Sequence, residues 1–185
     1  LDAGALNILN NYTTGLITAT SVETLTGTLA DVNAAYAAVT DSGNGITGLA
    51  NEAVELTDTR VLAADLKTLN TKTTGTIDGS TISVIEGTAA DVNTVYDGKG
   101  ESDGFSGLGD EEVTLTDTTV SASVLKDAYE NGTSGTIDAS SVHTISGTGT
   151  TITNANAVYA SGRFTGLGSE NVTITDQGAS GAGNG

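Results

Sequence analysis

GTIDGSTISVIEGTAADVNTVY, the stretch from Gly75 to Tyr96, decides the fold, because the chain contains versions of it three times. The first copy begins at Gly15 and the third at Gly135, so the three starting glycines are evenly spaced along the chain. A second block, GLGDEEVTLTD from Gly107, also occurs three times, with nearly the same spacing. A fixed period of this kind is typical of repeat proteins, in which each unit packs on its neighbours.

Each repeat divides into two related halves, and one apolar position recurs in every half. The six residues at this position are Leu25, Leu56, Ile85, Leu115, Ile145 and Ile174. Around Leu56 and Leu115 apolar and polar residues alternate, which indicates half-buried strands. We therefore expect six stacked coils of about 30 residues each, a usual length for such units. These six side chains should be buried in adjacent coils.

Short helix-like runs follow the strands. Thr28 with Asp31, and Thr88 with Asp91, have the spacing of capping boxes that open helices. Each run is about two turns long and must pack on the strands to be stable. Packed helices need about 8–10 Å, whereas stacked strands lie about 4.8 Å apart. We therefore expect the helices of alternate halves on opposite faces of the stack.

These patterns predict a mainly β fold, a repeat solenoid of short strands with short helices, in a single domain over residues 1–176. The predicted repeats are 15–74, 75–134 and 135–176, with residues 1–14 as an incomplete leading unit. Residues 177–185 (QGASGAGNG) are small and polar, which predicts a linker or a disordered tail. Leu1 lies part-way through a repeat, at the helix-like run. We therefore expect the chain to be a piece of a longer protein.

The composition limits the classes of partner. Only 37% of the residues are hydrophobic and 4% aromatic, which favours a thin core of stacked aliphatic rows. The net charge is −17, from 23 acidic and six basic residues. This charge repels phosphate backbones and anionic membrane surfaces, so we expect no nucleic-acid partner. The chain also has no apolar run long enough to cross a bilayer, so we expect no membrane insertion.

No candidate active site is found in the sequence. His143 is the only histidine, and the earlier repeats have Glu23 and Ser83 at its position. Catalytic triads and histidine metal sites need partners that the chain lacks. A glycosidase would need paired carboxylates on a groove, whereas the acidic residues here lie mostly in corners. The segment from Gly43 to Gly48 matches GxGxxG, but no buried strand precedes it. The sequence predicts no enzyme.

Acidic residues gather in one Gly-rich corner of the second repeat. The candidate ligands of a divalent cation are Asp97, Glu101, Asp103 and Asp110. Calcium takes six to eight oxygens, which carboxylates and the carbonyls of a Gly-rich corner would supply. The spacing matches neither the EF-hand loop nor the calcium-binding nonapeptide. Two interpretations stay open: Ca²⁺ as a cofactor at these four residues, or solvated acidic loops.

Exposed threonines flank the apolar column, for example Thr114 with Thr116 and Thr173 with Thr175. Flat rows of this kind are typical of ice-binding surfaces. Glu86 and the other acidic residues interrupt the rows, and the ordinary strand propensity of threonine also explains them.

The segments GTIDASSVHTISGT, TAADVNTVY and GLGDEEVTLTDTTVSAS resemble the Thr/Asp/Gly-rich tandem repeats of giant secreted or cell-surface bacterial proteins, of the marine cyanobacterial type. The resemblance covers nearly the whole chain. It implies an extracellular structural or adhesive role and no catalysis. The third copy departs from the pattern, because GTTITNANAVY replaces GTAADVNTVY and the capping box is lost.

The sequence thus predicts an extracellular or cell-surface structural segment of a filament, surface layer or giant adhesin. The alternative is a calcium-dependent or ice-binding adhesion module, with divalent cations as partners. The chain starts on a helix-like run and finishes on a strand, residues 171–176, so its two ends are complementary. We therefore expect the last strand to lie against the first coil of a following subunit or against the next repeat of a longer chain. Between subunits this is self-association end to end through the terminal coils, by a heterologous contact that gives filaments.

Overall fold

The computed structural model describes residues 1–40, 43–149 and 152–175. The helices are Ala3–Tyr12 (α1), Leu29–Ala37 (α2), Ala63–Asn70 (α3), Ala89–Asp97 (α4), Ala122–Asp127 (α5), which continues into a π-helical segment at Ala128–Gly132, and Ile152–Ala160 (α6).

The strands are short and recur between the helices. They are Leu16–Thr18 (β1), Thr24–Gly27 (β2), Gly45–Thr47 (β3), Ala53–Leu56 (β4), Arg60–Leu62 (β5), Ile77–Asp78 (β6), Val84–Gly87 (β7), Phe105–Ser106 (β8), Glu112–Leu115 (β9), Thr119–Ser121 (β10), Ile137–Asp138 (β11), Thr144–Gly147 (β12), Phe164–Thr165 (β13) and Asn171–Ile174 (β14).

The strands form four parallel sheets over the described ranges. Their orders are β1-β3, β2-β4-β6-β8, β5-β7-β9-β11-β13 and β10-β12-β14. The five-stranded sheet takes β5 from the first repeat, β7 and β9 from the second, and β11 and β13 from the third. The first and second repeats each supply strands to three different sheets, so the sheets overlap along the chain.

This overlap follows from a mismatch between two periods. Leu25 pairs with Val54, and Val54 pairs in turn with Ile77, so two steps across the sheet lead from Leu25 to Ile77. One step of the sequence repeat, however, leads from Leu25 to Ile85, which lies further along the chain. Because the sequence repeat is longer than two steps across a sheet, a strand and its counterpart one repeat later, such as β2 and β7, lie in different sheets.

The core lies where the apolar rows of the sheets meet the helices. In the five-stranded sheet one such row consists of Val61, Ile85, Val113, Ile137 and Phe164. A single cluster of buried apolar residues extends from Ala3 to Val158. Five residues of the predicted apolar column are buried, whereas Ile174 is exposed. The predicted alignment is wrong by two positions, because Leu25 pairs with Val54 and not with Leu56.

The predicted capping boxes are confirmed at two helices. The Thr28 hydroxyl accepts a hydrogen bond from the N–H of Asp31 at 3.1 Å and donates one to its carboxylate at 2.8 Å. Thr88 and Asp91 repeat this arrangement at the start of α4. Each threonine satisfies one backbone donor that a helix N-terminus leaves without an intrahelical partner, and the aspartate accepts from the threonine hydroxyl in place of the backbone N–H of a complete capping box.

A carboxylate from the following half completes each of these helix starts. Asp58 accepts a hydrogen bond from the N–H of Leu29 at 2.6 Å, and Asp117 accepts one from the N–H of Ala89 at 2.7 Å. Both aspartates belong to the repeated LTD sequence that follows the strand. A helix N-terminus favours negative charge, so each LTD aspartate ties its own half to the half before it.

Consecutive helices contact each other all along the chain, from α1 with α2 to α5 with α6. Polar side chains bridge four of the contacts: Asn7 Nδ2 to the carbonyl of Asp31, Asn33 Nδ2 to that of Asp65, Lys67 to the carboxylate of Asp91, and Asn93 Nδ2 to the carbonyl of Val124. The expectation of alternate helices on opposite faces is therefore wrong. Six consecutive helices in contact with one another share one side of the sheets.

The predicted mainly β solenoid is also wrong. The structure is mixed α/β, with 32% helix and 28% strand, and its parallel sheets alternate with helices. The sequence analysis treated the helix-like runs as minor because each is too short to be stable alone. Side-chain caps and contacts between neighbouring helices stabilise these runs, so they form a layer as large as the sheets. The predicted tail, 177–185, and Asp176 lie outside the described residues.

Candidate functional site

The four candidate calcium ligands are all exposed. Asp97 is the last residue of α4, Glu101 and Asp103 lie in the turn before β8, and Asp110 lies in the loop before β9. Within the described ranges, no three histidine or acidic side chains come close enough together to hold a metal ion. The structure therefore does not gather these four carboxylates into one site.

The other predicted sites remain solvent-facing features. His143 is exposed, and its Nδ1 lies 2.6 Å from the carbonyl of Ser141 in the same turn. The outward row of the five-stranded sheet contains Glu86, Thr114, Asp138 and Thr165, so acids alternate with threonines. Leu62 begins the same row, and the threonines Thr144 and Thr173 of the ice-binding hypothesis lie in the three-stranded sheet.

One acidic residue in each of the first two repeats is buried, and it organises its loop. Glu111 is 2% exposed and accepts hydrogen bonds from the N–H of Gly109 at 2.8 and 3.0 Å and from the Tyr96 hydroxyl at 2.5 Å. In the first repeat Glu52 is held in the same way by Ala50 and Tyr36. Burial, and then the hydrogen bond to Glu111, raises the pKa of Tyr96 above its ordinary value.

Sequence reasoning missed these buried glutamates because they stand among exposed acids. The signal was present as a recurring pair: Tyr36 with Glu52, Tyr96 with Glu111, and Tyr159 with Glu170. In the third pair Tyr159 donates to Glu170 at 2.8 Å, and burial together with that bond raises the pKa of Tyr159 to about 12. Desolvation opposes ionisation of Glu170, but hydrogen bonds from Tyr159 and the loop N–H groups hold its pKa below the ordinary value.

The same loops also hold the next repeat. Three hydrogen bonds link the loop of Glu52 to the segment from Thr73 to Thr76, which spans the boundary between the first and second repeats: Thr73 Oγ1 to the carbonyl of Glu52 at 2.8 Å, Thr74 N–H to the carbonyl of Ala50 at 2.9 Å, and Val54 N–H to the carbonyl of Thr76 at 2.9 Å. The loop of Glu111 is linked in the same way to the segment from Thr133 to Thr136, which spans the boundary between the second and third repeats, by Thr133 Oγ1 to the carbonyl of Glu111 at 2.5 Å, Ser134 N–H to that of Gly109 at 2.6 Å, and Val113 N–H to that of Thr136 at 2.9 Å. We call this set of contacts the repeat junction.

One glycine at each of the two repeat junctions, Gly75 or Gly135, allows the backbones to approach closely. A Cβ atom on Gly75 would lie 2.1 Å from the carbonyl oxygen of Glu52, and one on Gly135 would lie 2.4 Å from that of Glu111. Real Cβ atoms do not approach other atoms so closely. Each repeat junction therefore requires glycine at this position because the preceding repeat fills the space of a side chain.

At each end of the described stack, one of the two surfaces that form a repeat junction has no partner among the described residues. Strand β14 lies at the edge of its sheet and exposes 49% of Val172 and 57% of Ile174. The corresponding residues Val113 and Leu115 of β9 are fully buried beneath β11 and its neighbours. These two exposed side chains and the β14 backbone form an apolar edge of the kind that pairs with another strand.

The opposite end is uncovered in the same way. Leu9 of α1 is exposed and Ile17 of β1 is only partly buried, although their counterparts Leu69 and Ile77 are fully buried. A Cβ atom on Gly15 would meet only Thr13 Oγ1 of the same repeat, at 3.4 Å, which is an ordinary contact. The space that the preceding repeat fills at Gly75 is therefore open at Gly15.

Comparison with protein-family models, with curated proteins and with solved structures finds no match to this chain. In the described part of the chain, none of the helices has the length and apolar character that a membrane crossing requires.

Proposed function

We propose that the chain is a structural segment of an extracellular filament, surface layer or giant adhesin, and that it acts by joining end to end. The observation that carries this proposal is the pair of uncovered edges, β14 at one end and β1 at the other. Repeat units obtain their stability from contacts with neighbours, and an uncovered terminal unit favours association. The resemblance of the repeats to those of secreted bacterial proteins supports the extracellular location.

The contact is heterologous, because the two edges belong to different elements of the repeat. A heterologous contact that does not close into a ring produces a filament. The net charge of −17 favours the same outcome, since side-by-side contact would bring like charges together. Growth then proceeds along the stack and not across it.

Sedimentation velocity over a concentration series, with negative-stain electron microscopy of the same samples, tests this proposal. We expect the mean mass to rise with concentration and the images to show unbranched fibres. Salt should increase assembly, because it screens the repulsion between like-charged copies, with a Debye length of about 10 Å at 0.1 M. A monomer of constant mass at every concentration and salt would contradict the proposal.

A further inference from the structure

We infer that one copy joins the next by remaking the repeat junction, with β14 of one copy pairing in parallel with β1 of a second copy in a single register. This inference rests on the proposed end-to-end assembly and specifies the surface and the partner strand. The two repeat junctions inside the chain supply its geometry.

The two internal junctions have the same contacts at the same spacing. Thr73 and Thr133, which donate to the carbonyls of Glu52 and Glu111, occupy the same position of successive repeats, and the earlier member of this series is Thr13. Glu52 and Glu111, whose carbonyls accept, also correspond to each other, and the later member of their series is Glu170. The end of the leading unit, at Thr13, therefore carries an unused donor half, and the third repeat carries an unused acceptor half.

The backbone donors and acceptors of the repeat junction also recur at the two ends of the chain. The N–H groups of Thr74 and Ser134 belong to a series whose earlier member is Thr14, and the acceptors Ala50 and Gly109 belong to one whose later member is Gly168. The pairs Val54 with Thr76 and Val113 with Thr136 continue as Val172 with Leu16. Three hydrogen bonds between copies follow: Thr13 Oγ1 to Glu170, Thr14 N–H to Gly168, and Val172 N–H to Leu16.

These bonds fix the register of the two strands. Within the chain Val54 lies opposite Ile77, and Val113 lies opposite Ile137. Between copies the same register places Val172 opposite Ile17 and Thr173 opposite Thr18. Inside the chain Glu55 faces Asp78, and like charges directly opposite each other are destabilising. The junction between copies has an uncharged Thr173–Thr18 pair at this place, which favours pairing of separate chains.

The helices supply a second contact in the same geometry. Tyr96 is buried, and Gly132, near the end of the same repeat, lies against its ring: a Cβ atom on Gly132 would be 3.3 Å from Tyr96 Cδ2. Tyr159, the counterpart of Tyr96, is 42% exposed. The residue that corresponds to Gly132 at the other end is Tyr12, which is 86% exposed. The register brings these two exposed rings together, and aromatic pairs stabilise interfaces beyond the area that they bury.

Cysteine cross-linking tests the register directly, because the chain contains no cysteine. Strand partners lie about 4.8 Å apart, within the Cα separation of about 4.4–6.8 Å that a disulfide needs. The double variant Thr18→Cys, Thr173→Cys should therefore form a ladder of covalent multimers on oxidation, and a reducing agent should remove it. The matched control is Thr18→Cys with Asn171→Cys, in which the second thiol is displaced by two positions, about 6.6 Å along the strand. We expect this control to lose the ladder.

A second variant separates assembly from folding. Gly15→Ala should leave the thermal melt of the chain unchanged, because the space is open and Gly15 is not among the glycines with positive φ. It should abolish assembly, because the methyl group would meet the Glu170 carbonyl of the preceding copy. The control is Gly98→Ala, the same change in the middle of the chain, where φ is −80° and the nearest contact is Phe105 at an ordinary 3.4 Å. This control should still assemble.

The outcomes distinguish the inference from the proposed function. Fibres that form while the Thr18 and Thr173 variant gives no ladder, and while Gly15→Ala still assembles, would overturn the register and leave end-to-end assembly standing. A parent chain that stays monomeric at every concentration would overturn both. A ladder with the register pair alone, together with loss of assembly in Gly15→Ala, supports the inference.

Discussion

The hydroxyl of Tyr96 donates a 2.5 Å hydrogen bond to the carboxylate of Glu111, which is almost wholly buried. Tyr96 lies in α4 and Glu111 lies in the loop before β9, so this bond ties the helix layer to the sheet. Hydrogen bonds to charged groups contribute more than neutral ones, and a buried charge that loses a partner is costly. The pair therefore stabilises the loop that holds the next repeat.

Replacing this tyrosine tests the contribution of the bond. Tyr96→Phe keeps the ring and removes the donor, and we expect a loss of roughly 1.5–3 kcal/mol in the free energy of unfolding. The matched control is Tyr159→Phe, whose hydroxyl makes the same bond to Glu170 at an exposed site. Urea denaturation below the concentration of assembly measures both. Equal losses in the two variants would show that burial does not strengthen the bond.

The LTD aspartates are expected to act as remote helix caps. Asp117→Ala removes the acceptor of the Ala89 N–H and should destabilise the chain by about 0.5–2 kcal/mol. Asp110→Ala, at an exposed aspartate earlier in the same block, serves as the control and should stay within about 0.5 kcal/mol of the parent. Chemical denaturation compares the two. A loss at Asp110 as large as that at Asp117 would argue for general electrostatics and against capping.

Acid should remove the contribution of the Lys67–Asp91 ion pair. Lys67 lowers the pKa of Asp91 below its ordinary value of 3.8. The folded state therefore binds this proton less readily than the unfolded state, and the stabilisation is present above about pH 4. It is lost as the pH falls through the lowered pKa of the folded state.

Thermal melts from pH 7 to pH 2 check this sign. Asp91→Asn should lower the melting temperature at neutral pH, and the difference from the parent should shrink in acid. Asp31→Asn is the matched control, because Asp31 has the same threonine cap, while Asn7 stands at the position of Lys67 and bonds the backbone carbonyl of Asp31. An identical pH profile for the two variants would refute the role of Lys67.

Core packing should differ sharply between two corresponding strand positions. Leu115→Ala creates a cavity at a buried site and should cost about 2–5 kcal/mol. Ile174→Ala changes the corresponding side chain in β14, which is exposed, and should cost much less in the dilute monomer. Unfolding free energies at low protein concentration measure the contrast. Comparable losses would mean that β14 is covered in the monomer.

Local patterns in the sequence predicted the buried positions and the helix starts. Alternation around Leu115 and the spacing of Thr88 and Asp91 are short-range signals, and the structure confirms both. The pairing of Leu25 with Val54 could not be read in this way. An apolar side chain fits any apolar row, so the register depends on the lengths of distant turns.

The burial of Glu52 and Glu111 was also beyond local pattern. Each carboxylate is buried because a tyrosine from the preceding helix, Tyr36 or Tyr96, reaches it from the helix layer. Nothing in the acidic loop itself distinguishes Glu111 from its exposed neighbour Asp110. The candidate assembly edges were predicted as complementary ends, but the contacts that would join them came from the hydrogen bonds of the two internal junctions.

The overlap of the sheets has a mechanical consequence. Because a complete repeat contributes strands to three sheets, no flat cut across the molecule falls between two repeats without also dividing a sheet. The boundaries between repeats and the ends of the sheets therefore lie at different positions along the stack. A pulling force along the stack would therefore be shared by several sheets at once, and a single repeat could not be peeled away without disturbing the repeats on both sides of it.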